Sequence, residues 1–342
     1  MTNSGIPGPG PKVSVLLPVH DAEPTLRDCL RSLQRQNFQD WECVLVDDGS
    51  RDASLAIVRD AARRDPRLRV SATPHRGLVA ALNTGIVECR GRFVARMDAD
   101  DLMHSRRLAD QVEYLEAHPA WAGLGCHVRT FPRDGLGPGN RAYESWVNSI
   151  RSPEDVEREL FIECPVVHPT WMFRRAAVES YPYRDHGWPE DYDLILRMIT
   201  GGQRIGVLPR RRHAWRHAAD RLSRRSPVYG AGRFTACKAH HLARSFLARA
   251  ERYILWGYGG TGRTLCRALL EHGKRPSYIV ELHAGRLGNR IQGAEVIHRD
   301  RLGSLARLPL IISVAGAGPR GEIRDALARM EFVEMRDFVC AA

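Results

Sequence analysis

The stretch KVSVLLPVHDAEPTLRDCLRSLQRQNFQDWECVLVDDGS, residues 12–50, changes its period twice. Residues 12–19 are a short apolar run that ends in turn chemistry, the pattern of a buried strand. From Glu23 onward Leu26, Leu30 and Leu33 recur at helical spacing, with Pro24 near the start of the helix. Residues 41–50 return to an apolar run, now ending in Asp47-Asp48-Gly49-Ser50. A strand, a helix and a second strand in that order need a crossover connection, so the strands are expected to be parallel.

The alternation continues outward. DASLAIVRDAARR (52–64) predicts a second helix, LRVSAT (68–73) a third strand, GLVAALNTGIVEC (77–89) a third helix and RFVARM (92–97) a fourth strand. In such sheets ligand-binding groups gather at the carboxyl ends of the strands. Pro18–Glu23, Asp47–Ser50 and Asp98–Asp101 all fall at such ends, so three polar clusters from distant sequence are expected on one edge.

The last cluster places three carboxylates within four positions, and like charges that close resist joint ionisation without a partner. Asp98 and Asp100 form a D-x-D element whose hard oxygens suit Mg²⁺ or Mn²⁺, ions held by one or two carboxylates together with substrate phosphates. The competing reading makes Asp101 the N-cap of a helix over 102–117 and leaves the other two in solvent. The spacing alone leaves both open.

Further along, 130–165 is less regular, and HGWPEDYDLILRMI (186–199) reads as a loop entering an apolar-periodic helix. Between Gln203 and Arg252, 13 Lys or Arg face only Asp220 and Glu251, so this span carries the whole formal charge of +11. Such a run can meet nucleic acid, anionic lipid or a diphosphate, or simply be a solvated helix face. It is expected to end in helical sequence, GRFTACKAHHLARSFLARAE (232–251).

A second α/β unit is expected from about Arg252. RYILWGYGGTGRTLCRALLEHG (252–273) reads as strand, glycine turn and helix, followed by further strands and a helix to the end of the chain. Gly257, Gly259 and Gly262 fit G-x-G-x-x-G, with Glu281 about 20 residues on, and helix-start amides can hold a phosphate. A nicotinamide dehydrogenase is therefore a competing class, although only about 60 residues follow Glu281.

Length and composition bound these readings. The 342 residues favour two domains, and 43% hydrophobic with 27% charged residues describes an ordinary soluble globular protein. Eight scattered cysteines with no C-x-x-C pair favour reduced, buried thiols in a cytosolic protein. No apolar leader region and no 18-residue apolar stretch occurs, so neither export nor membrane spanning is expected.

VSVLLPVHDAE (13–23), CVLVDDGSRDAS (43–54), GLVAALNTGI (77–86), GRFVARMDADD (91–101) with RRLADQVEYL (106–115), and WPEDYDLILRM (188–198) occur in the order found in one family. Together they resemble the family 2 glycosyltransferases, inverting enzymes with the GT-A nucleotide-sugar-binding fold, over about residues 12–225. The resemblance implies a GT-A-type, mostly parallel sheet with flanking helices, plus a small C-terminal Rossmann-like α/β domain. The expected division is a disordered tail (1–11), the transferase domain (12–225), a basic helical linker (226–250) and the Rossmann-like domain (251–342).

The resemblance also implies roles by position. Pro18, Val19 and Glu23 match the first nucleotide-contacting loop, where His20-Asp21 replaces the commoner Tyr-Asn. Asp47 would bind the nucleotide base and Asp48 form the turn; Asn83 would face the donor. Asp98 would lie by the ribose and phosphate, Asp100 would hold Mn²⁺ or Mg²⁺, and Asp101 would start the next helix. Asp191 would be the base that deprotonates the acceptor, with Glu190 orienting it or touching acceptor. His168 and Thr170 match a donor- or acceptor-contacting loop. Arg216 and His217 match a segment that closes over the diphosphate, with His217 a candidate metal ligand whose spacing departs from the pattern. The C-terminal part looks like the front domain of bacterial sugar acyltransferases, which makes Gly257, Gly259, Gly262 and Glu281 a candidate second nucleotide site.

The expected function is metal-dependent, inverting transfer of a sugar from a nucleoside diphosphate, UDP in the first instance, to a hydroxyl of a glycan or lipid-linked acceptor. The alternatives are a non-catalytic nucleotide-sugar-binding module and an NAD(P)-dependent oxidoreductase working through the C-terminal domain. The expected location is cytoplasmic, with peripheral contact at the inner face of the membrane through the basic 203–252 segment and no nucleic-acid partner.

Overall fold

Val13–Val19, the first strand (β1), is buried at all seven positions, as an apolar run covered on both faces must be. The computed structural model describes residues 10–218, 221 and 225–342. These form two compact units. The first takes the chain through Val156, then Val166–Asp185 and Gly201–Arg221; the second takes Glu157–Pro165, His186–Thr200 and Leu222–Ala342.

In the first unit β1 is followed by α1 (Glu23–Gln34), β2 (Trp41–Asp48), α2 (Ser54–Arg64), β3 (Leu68–Thr73), α3 (Leu78–Glu88) and β4 (Phe93–Arg96). Then come β5 (Leu102–Met103), α4 (Arg107–Ala117), β6 (Gly123–Phe131), α5 (Pro138–Val147), α6 (Pro153–Glu159), β7 (Met172–Arg174), α7 (Arg175–Ser180) and β8 (Ile205–Arg216). One sheet of eight strands results, in the order β3-β2-β1-β4-β7-β6-β8-β5. The left half is parallel, and β7 enters antiparallel to both β4 and β6. Leu26, Leu30 and Leu33 of α1 turn inward onto β1 and β2, which is what their spacing anticipated. Gly85 brings α3 close to the sheet: a Cβ there would lie 2.1 Å from Leu16 Cδ1. The register sets Val19 beside Asp47 and Asp48 beside Thr73, so the carboxyl ends of β1, β2 and β3 come level.

The second unit holds α8 (Glu190–Thr200), α9 (Ala231–Arg244), β9 (Arg252–Trp256), α10 (Gly260–Glu271), β10 (Arg275–Val280), β11 (Arg290–Ile291), β12 (Ala294–Ile297), β13 (Leu310–Ile312), α11 (Ala317–Arg329) and β14 (Phe338–Cys340). Its sheet runs β11-β12-β10-β9-β13-β14, parallel except for the β11 hairpin. The first parallel strand lies in the middle and the chain winds outward on either side of it, the Rossmann-like order.

Four expectations are corrected. No helix runs over 102–117: Leu102 and Met103 pair antiparallel with Ala214 and His213, and α4 begins only at Arg107. The basic run opens as a 12-residue strand, β8, paired with β6. Residues 226–250 are not a linker, because α9 buries Cys237, Lys238, His241 and Leu242 within the second unit. Lys238 Nζ there donates to Ile162 O at 2.9 Å and Ala341 O at 2.6 Å. The unit boundary also moves, since α8 belongs to the second unit rather than to a transferase domain ending at 225.

Candidate active site

The loops after β1 and β2 are laced together by short polar side chains. Asp21 N donates to Ser50 Oγ at 3.1 Å and Ala22 N to Ser54 Oγ at 2.8 Å. Glu23 N donates to Asp52 Oδ2 at 2.9 Å, and Ala53 N returns the bond to Glu23 Oε2 at 3.1 Å. Glu23 thus joins α1 to the start of α2. Pro18 and Val19 are buried in the last turn-ward residues of β1 and fix where that strand stops.

The two aspartates that end β2 differ. Asp48 Oδ1 accepts Arg76 N and Oδ2 accepts Gly77 N, each at 2.8 Å, which fixes the loop before α3. Asp47 is 1% exposed; its Oδ2 accepts Ser50 N at 3.3 Å, while Oδ1 is buried with no hydrogen-bond partner among the described residues. A buried carboxylate oxygen without a donor is costly and points to a missing N–H. Beside it His20 and His75 stack with ring centres 4.1 Å apart, both aiming Nδ1 at Asp48 O.

The residues after β4 form a charge network. Asp98 Oδ1 pairs with Arg96 and Oδ2 lies 3.2 Å from Arg221 Nη2. Asp101 is fully buried and is not an N-cap: Oδ2 accepts His213 Nε2 at 2.8 Å and Oδ1 accepts Arg216 N at 2.6 Å. His213 Nδ1 faces the guanidinium of buried Arg107 at 3.1 Å, so the imidazole is neutral with its proton on Nε2. Burial drives the His213 pKa down, consistent with that tautomer. Burial alone would raise Asp101, but His213, Arg221 and the Arg216 amide hold it below the ordinary value. Asp100 goes the other way: burial and the neighbouring Asp101 charge push it up, with Arg221 opposing. Arg216 Nε donates to Asp100 O at 2.6 Å, and its guanidinium lies over Phe131. His217 continues from β8, its amide donating to Phe131 O at 2.6 Å.

Asn83 and His168, expected near the donor and in a donor- or acceptor-contacting loop, both bond to Tyr183. Asn83 uses both ends of its amide on the Tyr183 backbone, donating to Tyr183 O at 3.0 Å and accepting Tyr183 N at 2.9 Å. His168 is buried, with Nε2 2.7 Å from the Tyr183 hydroxyl, and burial with the nearby Arg96 charge keeps it well below its usual pKa. Both anchor the loop at Tyr183. Thr170 is likewise buried, its hydroxyl donating to Val167 O at 2.6 Å.

Glu190 and Asp191 open α8 in the second unit. Glu190 is buried and Oε2 accepts the Tyr229 hydroxyl at 2.6 Å, while Asp191 Oδ1 accepts Tyr192 N at 2.7 Å. Asp193, two residues on, accepts Arg197 Nε at 2.7 Å and His241 Nε2 at 3.0 Å. Those bonds outweigh burial and hold its pKa at about 2. In the glycine turn, Glu281 Oε1 accepts Tyr258 N at 2.8 Å, and Ser313 Oγ donates to Gly257 O at 2.6 Å. Gly262 sits so close that a Cβ would lie 2.2 Å from Gly257 O. Gly259 is the N-cap of α10.

The basic run is divided: Arg204, Arg210, Arg211, Arg225, Arg233 and Arg244 are exposed, and a smaller set turns inward. Arg212 Nε and Arg106 Nη2 both reach buried Asp110, Arg216 and Arg221 serve the aspartates, and Lys238 is buried. Arg96, Arg221 and His213 were not singled out in the sequence. Their signal is thin: Arg96 sits in a strand of apolar residues, and His213 gains meaning only from the pairing of β8 with β5.

The Asp98, Asp100 and Asp101 oxygens lie within 4.8 Å of one another. Both Asp101 oxygens are held by an imidazole and a main-chain amide, and both Asp98 oxygens by the Arg96 and Arg221 guanidinium groups, which leaves Asp100 the carboxylate most open to a hard dication, with Asp98 beside it. This chemistry fits Mg²⁺ or Mn²⁺.

Comparison with known proteins decides what the arrangement belongs to. The Glycosyl transferase family 2 profile matches residues 14–181. The putative glycosyltransferase EpsE of Bacillus subtilis is 31% identical over 226 residues, covering 64% of this chain and 78% of that protein. The chain belongs to glycosyl transferase family 2. The amylovoran biosynthesis glycosyltransferase AmsE of Erwinia amylovora is 33% identical over 200 residues, 57% of this chain and 73% of that one. Among solved structures, residues 1–349 of S. aureus TarS, crystallised with UDP-GlcNAc, align with a TM-score of 0.57 at 19% identity, over 76% of this chain and 72% of that one. The protein is a glycosyltransferase, and the fold of its first unit is the GT-A type.

Proposed function

We propose that the protein is a metal-dependent inverting glycosyltransferase that uses a UDP-sugar and extends a glycan or lipid-linked glycan. The observation that carries this is the unpartnered, buried Asp47 Oδ1 at the end of β2. It calls for an N–H donor, and the imide of uracil offers one. The stacked His20 and His75 give the base a flat neighbour. Asp100 would hold the ion together with Asp98, which the resemblance had placed by the ribose and phosphate, and a bound Mg²⁺ or Mn²⁺ would supply charge neutralisation to the departing diphosphate. AmsE, named for amylovoran biosynthesis, supports a glycan acceptor, and the structural neighbour TarS, crystallised with UDP-GlcNAc, supports a nucleotide-sugar donor.

In this reading the acceptor hydroxyl attacks the anomeric carbon as the bond to the diphosphate oxygen breaks, and the configuration inverts. The hydroxyl proton passes to Asp191, a role that rests on the match of PEDYD to the family's Glu-Asp element. Glu190, tied to Tyr229, orients the start of α8. His217 stays a candidate further ligand. We assign the glycines of the second unit to close packing, since Glu281 and Ser313 already hold the turn. No helix among the described residues is long and apolar enough to cross a membrane. Peripheral contact with an anionic membrane surface falls to the exposed Arg210 and Arg211 of β8.

A panel of nucleoside-diphosphate sugars offered to the whole protein with Mn²⁺, with products identified by mass, tests this. UDP-sugars should be hydrolysed or transferred in preference to GDP-sugars and CDP-sugars. Turnover confined to GDP-sugars contradicts the base assignment.

A further inference from the structure

Arg221 stands on the acidic cluster. Its Nη2 lies 3.2 Å from Asp98 Oδ2 and its Nε 3.7 Å from Asp100 Oδ2. Its Nη1 donates to Arg216 O at 2.8 Å, and its guanidinium carbon is 4.9 Å from the centre of the Trp215 ring. The side chain is only 14% exposed. One cation of the protein therefore spans the two carboxylates assigned to the divalent ion. A guanidinium and a dication on the same pair of oxygens repel strongly in such a sheltered place.

We propose that Arg221 is an exchangeable internal cation: it neutralises Asp98 and Asp100 until the donor arrives, then passes to the diphosphate as the metal takes the carboxylates. This rests on the reading of Asp100 as a metal ligand. The consequence is a binding order. A bare ion must displace Arg221 and leave a sheltered guanidinium with no anion, which is costly. An ion that arrives with a diphosphate brings the replacement anion, and a guanidinium suits phosphate oxygens in two-pronged fashion. The contacts with Trp215 and Arg216 O do not involve the carboxylates, so they are compatible with either partner. Metal and nucleoside diphosphate must then raise each other's affinity by the same factor. Arg221 acts as a positioning residue, through the carboxylates and the diphosphate.

The test is Mn²⁺ binding to the whole protein, read from the electron paramagnetic resonance signal of free Mn²⁺, without and with UDP. Wild type should bind Mn²⁺ alone weakly and tighten on addition of UDP. Arg221→Ala should bind Mn²⁺ alone about tenfold more tightly, with the enhancement by UDP reduced by a similar factor. Arg221→Gln, which keeps a planar group beside Trp215 without the charge, should behave the same way and serves if the alanine variant does not fold. Unchanged or weaker Mn²⁺ binding in both variants without UDP overturns the exchange. Asp100→Asn separates the two claims. If it abolishes Mn²⁺ binding while Arg221→Ala changes nothing, only the exchange fails. If it leaves Mn²⁺ binding with UDP intact, the metal assignment fails and the exchange falls with it.

Discussion

At the end of β2, Asp47 keeps one buried carboxylate oxygen without a partner among the described residues; at the end of β10, Glu281 turns back and accepts the amide of Tyr258. Both units place an acid near the carboxyl end of a central strand, and both therefore look like ligand sites in sequence. They differ in what remains unsatisfied. Arg96 and Arg221 hold Asp98, His213 and the Arg216 amide hold Asp101, and Asp100 is pushed toward protonation by burial and its neighbour. Around Gly257 to Gly262 the named polar atoms meet within the turn itself. A buried acid oxygen left without a donor, set against an acid bonded to a main-chain amide, separates the two sites more than motif spelling does.

Four substitutions press on that contrast. Asp191→Asn should have the largest effect, cutting transfer by roughly 10²–10⁴-fold while UDP binding measured by calorimetry persists. Loss of UDP binding along with turnover would move Asp191 out of the role of base. Asp47→Asn should raise the donor KM by about 10–100-fold with kcat less affected, the scale of a lost hydrogen bond to a charged group. A donor KM within twofold of wild type would mean that the orphan oxygen faces no base.

Gly262→Ala should act on stability alone. Its Cβ would press on the Gly257 carbonyl, and overpacking of this kind costs about 1–3 kcal/mol, seen as a lower Tm. The full chain should show no thermal shift with NADPH or UDP-sugar that this variant removes. A shift with NADPH that vanishes in Gly262→Ala would restore the turn as a nucleotide site.

The smallest effect concerns acid. Asp193 has a folded pKa of about 2 against an ordinary 3.8, so it contributes stability above the ordinary value that is lost as pH falls from about 4 toward 2. Asp193→Asn should flatten that part of the acid-unfolding curve, read by circular dichroism. An unchanged acid limb would place the Arg197 and His241 contacts outside the stability balance.

Much of the fold was legible because its signals are local. The seven elements from β1 to β4 follow from runs of buried Val and Leu and from α1's leucine spacing, and the parallel order follows from the crossovers. Strand β8 was hidden because Pro209 and three successive arginines interrupt its pattern, and the ladder with β6 shifts register there. Those arginines read as a solvated or partner-seeking run, yet Arg212 serves Asp110 across 102 positions of sequence. Asp101 was misread for the same reason. A carboxylate before an apolar segment looks like a helix cap, and only the pairing of β5 with β8 reveals that it clasps His213 and the Arg216 amide. Asn83 and His168 were recognised as polar groups near the donor loops, but their joint anchoring of Tyr183 depends on side-chain geometry that spacing does not encode.

The central claim is that the aspartates after β4 hold a dication for a nucleoside-diphosphate donor. The most direct measurement is UDP-sugar turnover by the whole protein with Mn²⁺, with EDTA, and in Asp100→Ala. Turnover that requires Mn²⁺ and falls by about 100-fold or more in the variant is the predicted result, since an ion at a leaving group stabilises the transition state by several kcal/mol. Undiminished Mn²⁺-dependent turnover in Asp100→Ala contradicts it.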